Sequence, residues 1–360
     1  MLLSIIVTSQ KIMKNQIDAL TATRAVAAIM VVIHHFGYNI YPFSLLPGLF
    51  HSGNIAISYF FVLSGFVLYI SYYQKDMPYL EYFKRRVGRI VPVYMLALFM
   101  FIAVALGLYH YTISKDFIKQ IVYCALFLQA YFPNYALSLN SPSWTISVEM
   151  LFYVLFPLFL FFQKKYLKLF VVMTIGFFLL SQAIHLLHYH PGIELQKEGE
   201  GPTFYNPLIH ISQFLMGMIG GYLYNQIKPG STKYKFLPLL FFILILVSII
   251  LRPGNLSYHV GLLDPLFMAF IISVAVKNPK FLNIKFFVFL GEISYGIYIL
   301  QWPVYKFMEA INDPHLHIPQ PYFFFVSLGV LLATASVSCL YFEKPLRNKI
   351  NGLNLVRQAK

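Results

Sequence analysis

Long apolar runs are the feature that most constrains the fold of this chain. They recur along its whole length, and a run of about 20 apolar residues is what an α-helix needs to cross a bilayer. Charged residues make up only 11% of the 360 residues, against roughly a quarter in typical soluble domains. A chain so poor in charge cannot cover a surface that faces water, and lipid accepts helices because their backbone polar groups bond internally. The sequence therefore predicts an all-α integral membrane protein.

The apolar runs define about ten transmembrane helices. We place them at 17–40, 54–73, 90–109, 144–162, 166–187, 207–226, 236–251, 259–276, 286–309 and 321–342. One further apolar piece, 117–132, is shorter and contains Lys119 and Gln129. We find no repeat of fixed period and no soluble domain, so residues 1–360 are predicted to form one membrane domain.

The basic residues give this arrangement an orientation, because the cytoplasmic loops of membrane proteins carry an excess of Lys and Arg. With ten spans and both termini in the cytoplasm, most of the 27 basic residues face the cytoplasm. The others are Lys115, Lys119, Lys197, Arg252 and Lys306 outside, and Arg24 within a helix. A spanning helix at 117–132 would move the later basic clusters outside, so we predict a short outer-face or re-entrant helix there. The net charge of +14 thus indicates orientation in the cell membrane, and no nucleic-acid partner is predicted.

Ionisable residues within the predicted spans are candidate functional groups, because each costs several kcal/mol in lipid. Arg24 and His35 both lie in the first span, eleven residues apart. At 100° per residue this separation is within about 20° of three full turns, so the two side chains share a helix face. His34 points about 80° away from Arg24. We therefore favour His35 as a functional residue over the alternative of a snorkelling arginine and a hydrogen-bonded core histidine.

Glu149 in the fourth predicted span lies at a depth similar to that of His35. His35 lies about five residues below the outer end of the first span. The fourth span begins on the outer side at Trp144, and Glu149 lies five residues further along it. At 1.5 Å per residue both lie roughly 7 Å under the outer interface. A carboxylate beside an imidazole fixes its tautomer and raises its basicity for proton abstraction. Two separately hydrogen-bonded polar groups are the alternative interpretation.

The densest basic patch lies just before the third predicted span and includes Arg85, Arg86 and Arg89. Arg86 and Arg89 are one turn apart on a helix and share a face. The planar guanidinium binds phosphate oxygens in a way that the ammonium of lysine does not. An anionic cofactor, lipid headgroups and membrane orientation alone are the three interpretations of this patch.

Two groups of histidines have a spacing that could bind a metal ion. They are His185, His188 and His190, and His315 and His317. Both groups fall in predicted outer loops without cysteines nearby, so incidental histidines are favoured and no metal site is predicted.

Five stretches, spread in order over nearly the whole chain, carry a family resemblance. They are IDALTATR at 17–24 continuing to HHF at 34–36, FFVLSGF at 60–66, RxxRIxPxY at 86–94, SWTISVE at 143–149, and GEISYGIY at 291–298 with Trp302-Pro303 and FEKP at 342–345. With these five stretches in this order, the chain resembles acyltransferase family 3, the multispanning membrane acyltransferases of cell-surface carbohydrates. Two departures stand out: many members have an aspartate where this chain has Ser58, and many have a histidine where it has Gln301.

The resemblance implies roles for the residues already singled out. Arg86 and Arg89 would hold the phosphates of acyl-CoA at the cytoplasmic face, and the pantetheine arm would pass Arg24. His35 would act as general base on an acceptor hydroxyl, or carry the acyl group, with Glu149 orienting it. On the acceptor side, the resemblance assigns substrate binding to Trp144 and Tyr153.

The function implied by the resemblance is an O-acyltransferase, with acetyl as the favoured group. It would move the group from cytoplasmic acyl-CoA to a hydroxyl of an exported or cell-surface carbohydrate. Because the sequence ends shortly after the last predicted span, it would act alone or pass its acyl group to a separate extracytoplasmic partner. The alternative is a proton-coupled secondary transporter, in which His35 and Glu149 relay protons and Arg24 binds an anionic substrate.

The predicted topology can be tested with a reporter enzyme that is active only outside the cytoplasm. We expect a fusion after Lys164 to be inactive, because the ten-span arrangement places the loop after the fourth span in the cytoplasm. A fusion after Tyr111, in the loop predicted outside, is the matched control and should be active. Activity after Lys164 would show that 117–132 crosses the membrane.

Overall fold

The apolar runs fold into helices throughout the part of the chain that the structure describes. This computed structural model describes residues 2–75, 77–188, 202–227, 236–251 and 261–352, and within these ranges no strand is present. The helices are α1 (Leu2–Phe36), α2 (Pro47–His51), α3 (Ile55–Tyr72), α4 (Tyr79–Gly107), α5 (Lys115–Ala125), α6 (Trp144–Lys165), α7 (Leu167–His188), α8 (Ile211–Gln226), α9 (Leu237–Ile250), α10 (Asp264–Lys277), α11 (Lys285–Glu292), α12 (Ser294–Ile311), α13 (Tyr322–Val337) and α14 (Lys344–Gly352). The prediction of an all-helical chain is confirmed for these residues.

Six helical segments of the described ranges are long and apolar enough to cross a membrane. They are Asp18–Phe36, Ile55–Tyr72, Tyr79–Gly107, Ser141–Lys165, Leu167–Leu187 and Tyr322–Gly352. The predicted count of about ten spans is therefore not confirmed. Helices also lie at the four other predicted positions, but α8, α9 and α10 have only 16, 14 and 14 residues, whereas a spanning helix needs about 20.

The predicted span at 286–309 is two helices rather than one. The first, α11, ends at Glu292, and α12 begins at Ser294 after the single junction residue Ile293. The Ser294 hydroxyl donates to the carbonyl of Gly291 at 2.7 Å, which gives a backbone group at the junction a side-chain partner. A Cβ at Gly291 would overlap the backbone of Thr21 in α1. The change of helix therefore coincides with the closest approach of this segment to α1.

The basic patch and the short apolar piece each form a defined element. The helix α4 begins at Tyr79, well before the predicted start at residue 90, so Arg86 and Arg89 lie on the helix itself. The 117–132 piece contains α5, with 11 residues, which is about 16 Å long and too short to cross a bilayer. A short helix is thus present where one was predicted, and its side of the membrane stays a prediction.

Several features that the sequence analysis singled out lie outside the described residues. They include His190, Lys197, Arg252, the basic residues at 228–235 and the end of the tail at 353–360.

Two glycines let α3 and α8 pack with their backbones in contact. A Cβ at Gly65 of α3 would overlap the carbonyl of Phe214, and a Cβ at Gly217 of α8 would overlap the carbonyl of Val62. Small residues allow such close approach between helices in membranes, where dispersion contacts rather than the hydrophobic effect drive association. This contact fixes the position of α3, which forms one wall of the candidate site.

The α3–α8 contact predicts a large difference between two glycine substitutions. We expect Gly217→Leu to lower the stability of the detergent-solubilised protein by about 1–3 kcal/mol, because the new side chain would force the helices apart. In Gly176→Leu, the matched control on α7, the added Cβ meets no atom within 4 Å, and stability should be unchanged or slightly raised. Thermal unfolding of both variants measures the difference, and equal midpoints would contradict the contact.

Candidate active site

Arg24 and Glu149 of the predicted spans and two arginines of the basic patch line one cavity between α1, α3, α4, α6 and α12. Its volume is about 140 Å³. Most of its surface is apolar, and α3 supplies more of the lining residues than any other helix. The polar and charged side chains that line it include Arg24, Arg86, Arg89, Glu149, Tyr153, Tyr295 and Tyr298. Five of the seven residues predicted for the site therefore share one cavity; His35 and Trp144 lie outside its lining.

Arg24 brings a positive charge into the middle of the helix bundle. It lies on α1, is half-buried, and interacts electrostatically with Arg89 of α4 and Glu149 of α6. Two guanidinium groups and one carboxylate leave the cavity with an excess of positive charge even before Arg86 is counted. Such a lining is suited to an anionic ligand, because an anion would offset the repulsion between the arginines.

Arg86 is held against an aromatic ring and has an unused donor. Its Nη2 donates to the hydroxyl of Tyr72 at 3.1 Å, and its guanidinium lies 5.4 Å from the centre of the Tyr72 ring. Its Nε is buried and has no hydrogen-bond partner among the described residues. A buried donor without an acceptor costs about 1–3 kcal/mol. A phosphate oxygen in the cavity would remove that cost, since guanidinium donors bind phosphate in pairs.

Arg85, the residue before Arg86, has a carboxylate partner of its own. Arg85 is exposed and forms a salt bridge with Glu81 of the same helix, at 3.1 Å. In the part of the chain that the structure describes, neither Arg86 nor Arg89 has a carboxylate within salt-bridge distance. The arginines that line the cavity are thus the ones without an internal counter-ion at close range.

Glu149 is held by its neighbour on α6. The Tyr153 hydroxyl donates to Oε1 of Glu149 at 2.5 Å, which is the contact expected of residues four apart on a helix. Both side chains line the cavity. Tyr153 is buried, so this bond is shielded from water. The pair is the polar, hydrogen-bonded part of the α6 wall and interacts electrostatically with Arg24.

His35 is hydrogen-bonded to a residue of α12. Its Nδ1 lies 2.9 Å from Oε1 of Gln301, and its ring meets that of Trp302 edge to face, with centroids 5.9 Å apart. A direct bond between His35 and Glu149 is not among the hydrogen bonds of the described residues, and each has a different partner. Similar depth in the membrane does not bring two side chains together when other residues lie nearer on facing helices.

Trp144 lies in the packed interior rather than on the cavity wall. Its ring is 5.1 Å from those of both Tyr205 and His210 and 6.1 Å from that of Phe61, centre to centre. The predicted role of Trp144 on the acceptor side stays a prediction.

One turn of α12 connects the cavity to His35. Tyr298 lines the cavity, and its carbonyl accepts a hydrogen bond from Nε2 of Gln301 at 2.7 Å. Gln301 in turn contacts His35. The sequence marked Gln301 only as a departure from a family pattern and Tyr298 only as the end of a family motif. It gave no signal for Tyr72, whose contact with Arg86 depends on facing helices.

Comparison with known proteins gives the family. The acyltransferase domain family matches residues 17–341. The peptidoglycan O-acetyltransferase OatA of Listeria monocytogenes is 22% identical over 93% of this chain and 56% of its own length. The putative peptidoglycan O-acetyltransferase YrhL of Bacillus subtilis is 25% identical over 92% of this chain and 55% of its own length. The O-acetyltransferase OatA of Staphylococcus aureus is 23% identical over 92% of this chain and 57% of its own length.

The chain therefore spans just over half the length of these curated relatives. No solved structure matches it. The family match covers every residue that lines the cavity and also His35, from the start of the first predicted span into the last. On the strength of that match, the chain belongs to acyltransferase family 3, which its motifs resemble.

Proposed function

We propose that this protein transfers an acetyl group from acetyl-CoA to a hydroxyl of a cell-surface carbohydrate. The proposal rests on the cavity lined by Arg24, Arg86 and Arg89, in which the buried Nε of Arg86 has no acceptor among the described residues. The names of the relatives, which are O-acetyltransferases, supply the group that is transferred.

The donor would bind through its phosphates. Arg86 and Arg89 lie one turn apart on α4 and both line the cavity, so their donors can reach neighbouring phosphate oxygens. The ring of Tyr72 holds the guanidinium of Arg86 in place before the ligand arrives. Preorganised donors lose less entropy on binding, so a guanidinium that is already held in place binds a ligand more tightly than a mobile one.

The acyl end of the donor would reach towards His35. Arg24 and His35 share a face of α1 and are about 16 Å apart along its axis. The cavity extends from Arg86 to Tyr298 of α12, one turn below the residue that contacts His35. An extended pantetheine arm in this space would place the thioester beyond Arg24, on the His35 side.

His35 would act as the general base. Its Nε2 would take the proton of the acceptor hydroxyl as that oxygen attacks the thioester carbonyl carbon. The new bond is an ester C–O bond, the bond that breaks is the C–S bond, and the leaving thiolate takes the proton from His35. In the alternative route, Nε2 itself attacks the thioester carbonyl carbon, the C–S bond breaks and CoA leaves as the thiolate. The acceptor hydroxyl then attacks the acyl carbon, the C–N bond to Nε2 breaks, and the hydroxyl proton goes to the thiolate.

The acceptor would be a glycan at the outer face, since two of the relatives are named for peptidoglycan. We propose a multi-pass protein of the cell membrane with both termini in the cytoplasm, so that the donor enters from the cytoplasm. The acetyl group would go to the glycan directly or through a separate extracytoplasmic partner.

Donor binding can be tested with labelled acetyl-CoA and protein purified in detergent. We expect Arg86→Met to weaken binding by roughly tenfold or more, the equivalent of one charge-assisted hydrogen bond. Arg85→Met is the matched control, because its side chain is exposed and paired with Glu81, and it should bind as the wild type does. No binding by the wild-type protein would contradict the proposal and favour the transporter alternative.

The role of His35 can be tested by comparing two adjacent histidines. We expect His35→Ala to abolish acetyl transfer while acetyl-CoA binding is kept, because the base lies outside the arginine-lined cavity. His34→Ala is the control; His34 packs against His51, with ring centroids 6.0 Å apart, and transfer should persist. Full transfer by His35→Ala would show that His35 is not the base. A labelled acetyl group on His35, trapped by rapid quenching after reaction with donor alone and removed by hydroxylamine, would favour the acyl-carrier route.

A further inference from the structure

We infer that Gln301 is a positioning residue that holds His35 in one tautomer, with the proton on Nδ1 and the lone pair on Nε2. The chemical use of that lone pair rests on the proposed function. The tautomer itself rests only on the hydrogen bonds described below.

The orientation of the Gln301 amide follows from its other partner. One end of the amide lies 2.7 Å from the backbone carbonyl oxygen of Tyr298. A carbonyl oxygen only accepts hydrogen bonds, so the end that faces it must be the NH₂ group. The opposite end, which faces His35 at 2.9 Å, is then the oxygen Oε1. Gln301 is fully buried, so water does not compete for either contact.

The tautomer of His35 follows from the orientation of the amide. Because Oε1 only accepts, Nδ1 of His35 has to donate, and a neutral imidazole carries a single N–H. Nε2 is therefore the unprotonated nitrogen. Within the described residues it has no hydrogen-bond partner of its own. The other tautomer would place two lone pairs opposite each other at 2.9 Å and leave both buried groups without a donor.

The ring of His35 is also held in direction by α12. Trp302, which follows Gln301, contacts the ring edge to face. One residue along α1, Phe36 stacks on Tyr305 with the ring centres 3.8 Å apart. These contacts fix the α1–α12 register at the level of His35. The Gln301 bond then selects the tautomer of a ring whose position is already set.

A neutral amide suits the step proposed for His35. When Nε2 takes up a proton, the imidazole becomes charged, and its Nδ1–H bond to Oε1 becomes charge-assisted and stronger. Gln301 thus stabilises the protonated intermediate state without carrying a charge into the bundle. The amide nitrogen of Gln301 bonds to Tyr298, which lines the cavity. The same turn of α12 therefore lines the proposed donor site and positions the base.

The tautomer can be measured directly on the whole protein in detergent, without substrate. We expect ¹⁵N-histidine spectra of the wild type to show His35 protonated on Nδ1, with the signals assigned by their loss in His35→Gln. In Gln301→Met, which keeps the length of the side chain but removes the acceptor, His35 should become a mixture of tautomers. A wild-type His35 protonated on Nε2, or an unchanged spectrum in Gln301→Met, would overturn the inference.

Kinetics of the same variant test the functional consequence. We expect Gln301→Met to lower kcat by roughly 10- to 100-fold, because the base is in the productive tautomer only part of the time. The KM for acetyl-CoA should stay within about twofold, since the phosphates bind elsewhere in the cavity. Equal kcat values for Gln301→Met and the wild type would overturn the role of Gln301.

The matched control is Gln163→Met. Gln163 is buried, and its Nε2 donates to the carbonyl of Met218 at 3.0 Å, but it does not line the cavity. The Gln163→Met variant should keep the kcat and the His35 spectrum of the wild type. A loss of kcat equal to that of Gln301→Met would show that Gln301 acts only on stability. If the wild type transfers no acetyl group, the proposed function fails while the spectra still decide the tautomer.

Discussion

The high cost of a charge inside an apolar bundle is the constraint on which this structure depends. A chain with 11% charged residues can place ionisable groups between its helices only where the surrounding groups offset that cost. On the side of α4 that faces away from the cavity, Lys84 and Arg85 meet Glu81. On the cavity side, Glu149 is the one carboxylate among the described lining residues, and it interacts electrostatically with Arg24. The excess of arginine over carboxylate in its lining is what suits the cavity to an anion.

The helix α12 connects the parts of the site. Its tyrosines at 295 and 298 line the cavity, and the carbonyl of Ile299 accepts from Asn140, just before α6. One turn further on, Gln301 contacts His35. The break before α12 and the close approach at Gly291 place this helix against α1. A continuous helix from 286 to 309 would not turn at this point.

Much of the candidate site could be predicted from the sequence, because helical phase is a local property. The 3.6-residue period puts Arg24 and His35 on one face of α1, and Arg86 and Arg89 on one face of α4. The structure brings Arg24, Arg86 and Arg89 to the same cavity, and His35 lies outside its lining. The pairing of Glu149 with His35 rested on their similar depth and on the family resemblance, and depth is only one of the three coordinates that place a side chain. Tyr153, four residues along the same helix, is the nearer partner of Glu149.

The sequence by itself determined that the chain is helical, apolar and a member of its acyltransferase family, and which residues of each helix share a face. These are properties of composition, motif order and local period, so they need no knowledge of neighbouring helices. Only the tertiary structure decided which faces meet: Tyr72 against Arg86, Tyr153 against Glu149 and Gln301 against His35. The last of these joins residues 266 apart in the chain. No local signal encodes such a contact, because the packing of α1 against α12 alone sets the distance between the two side chains.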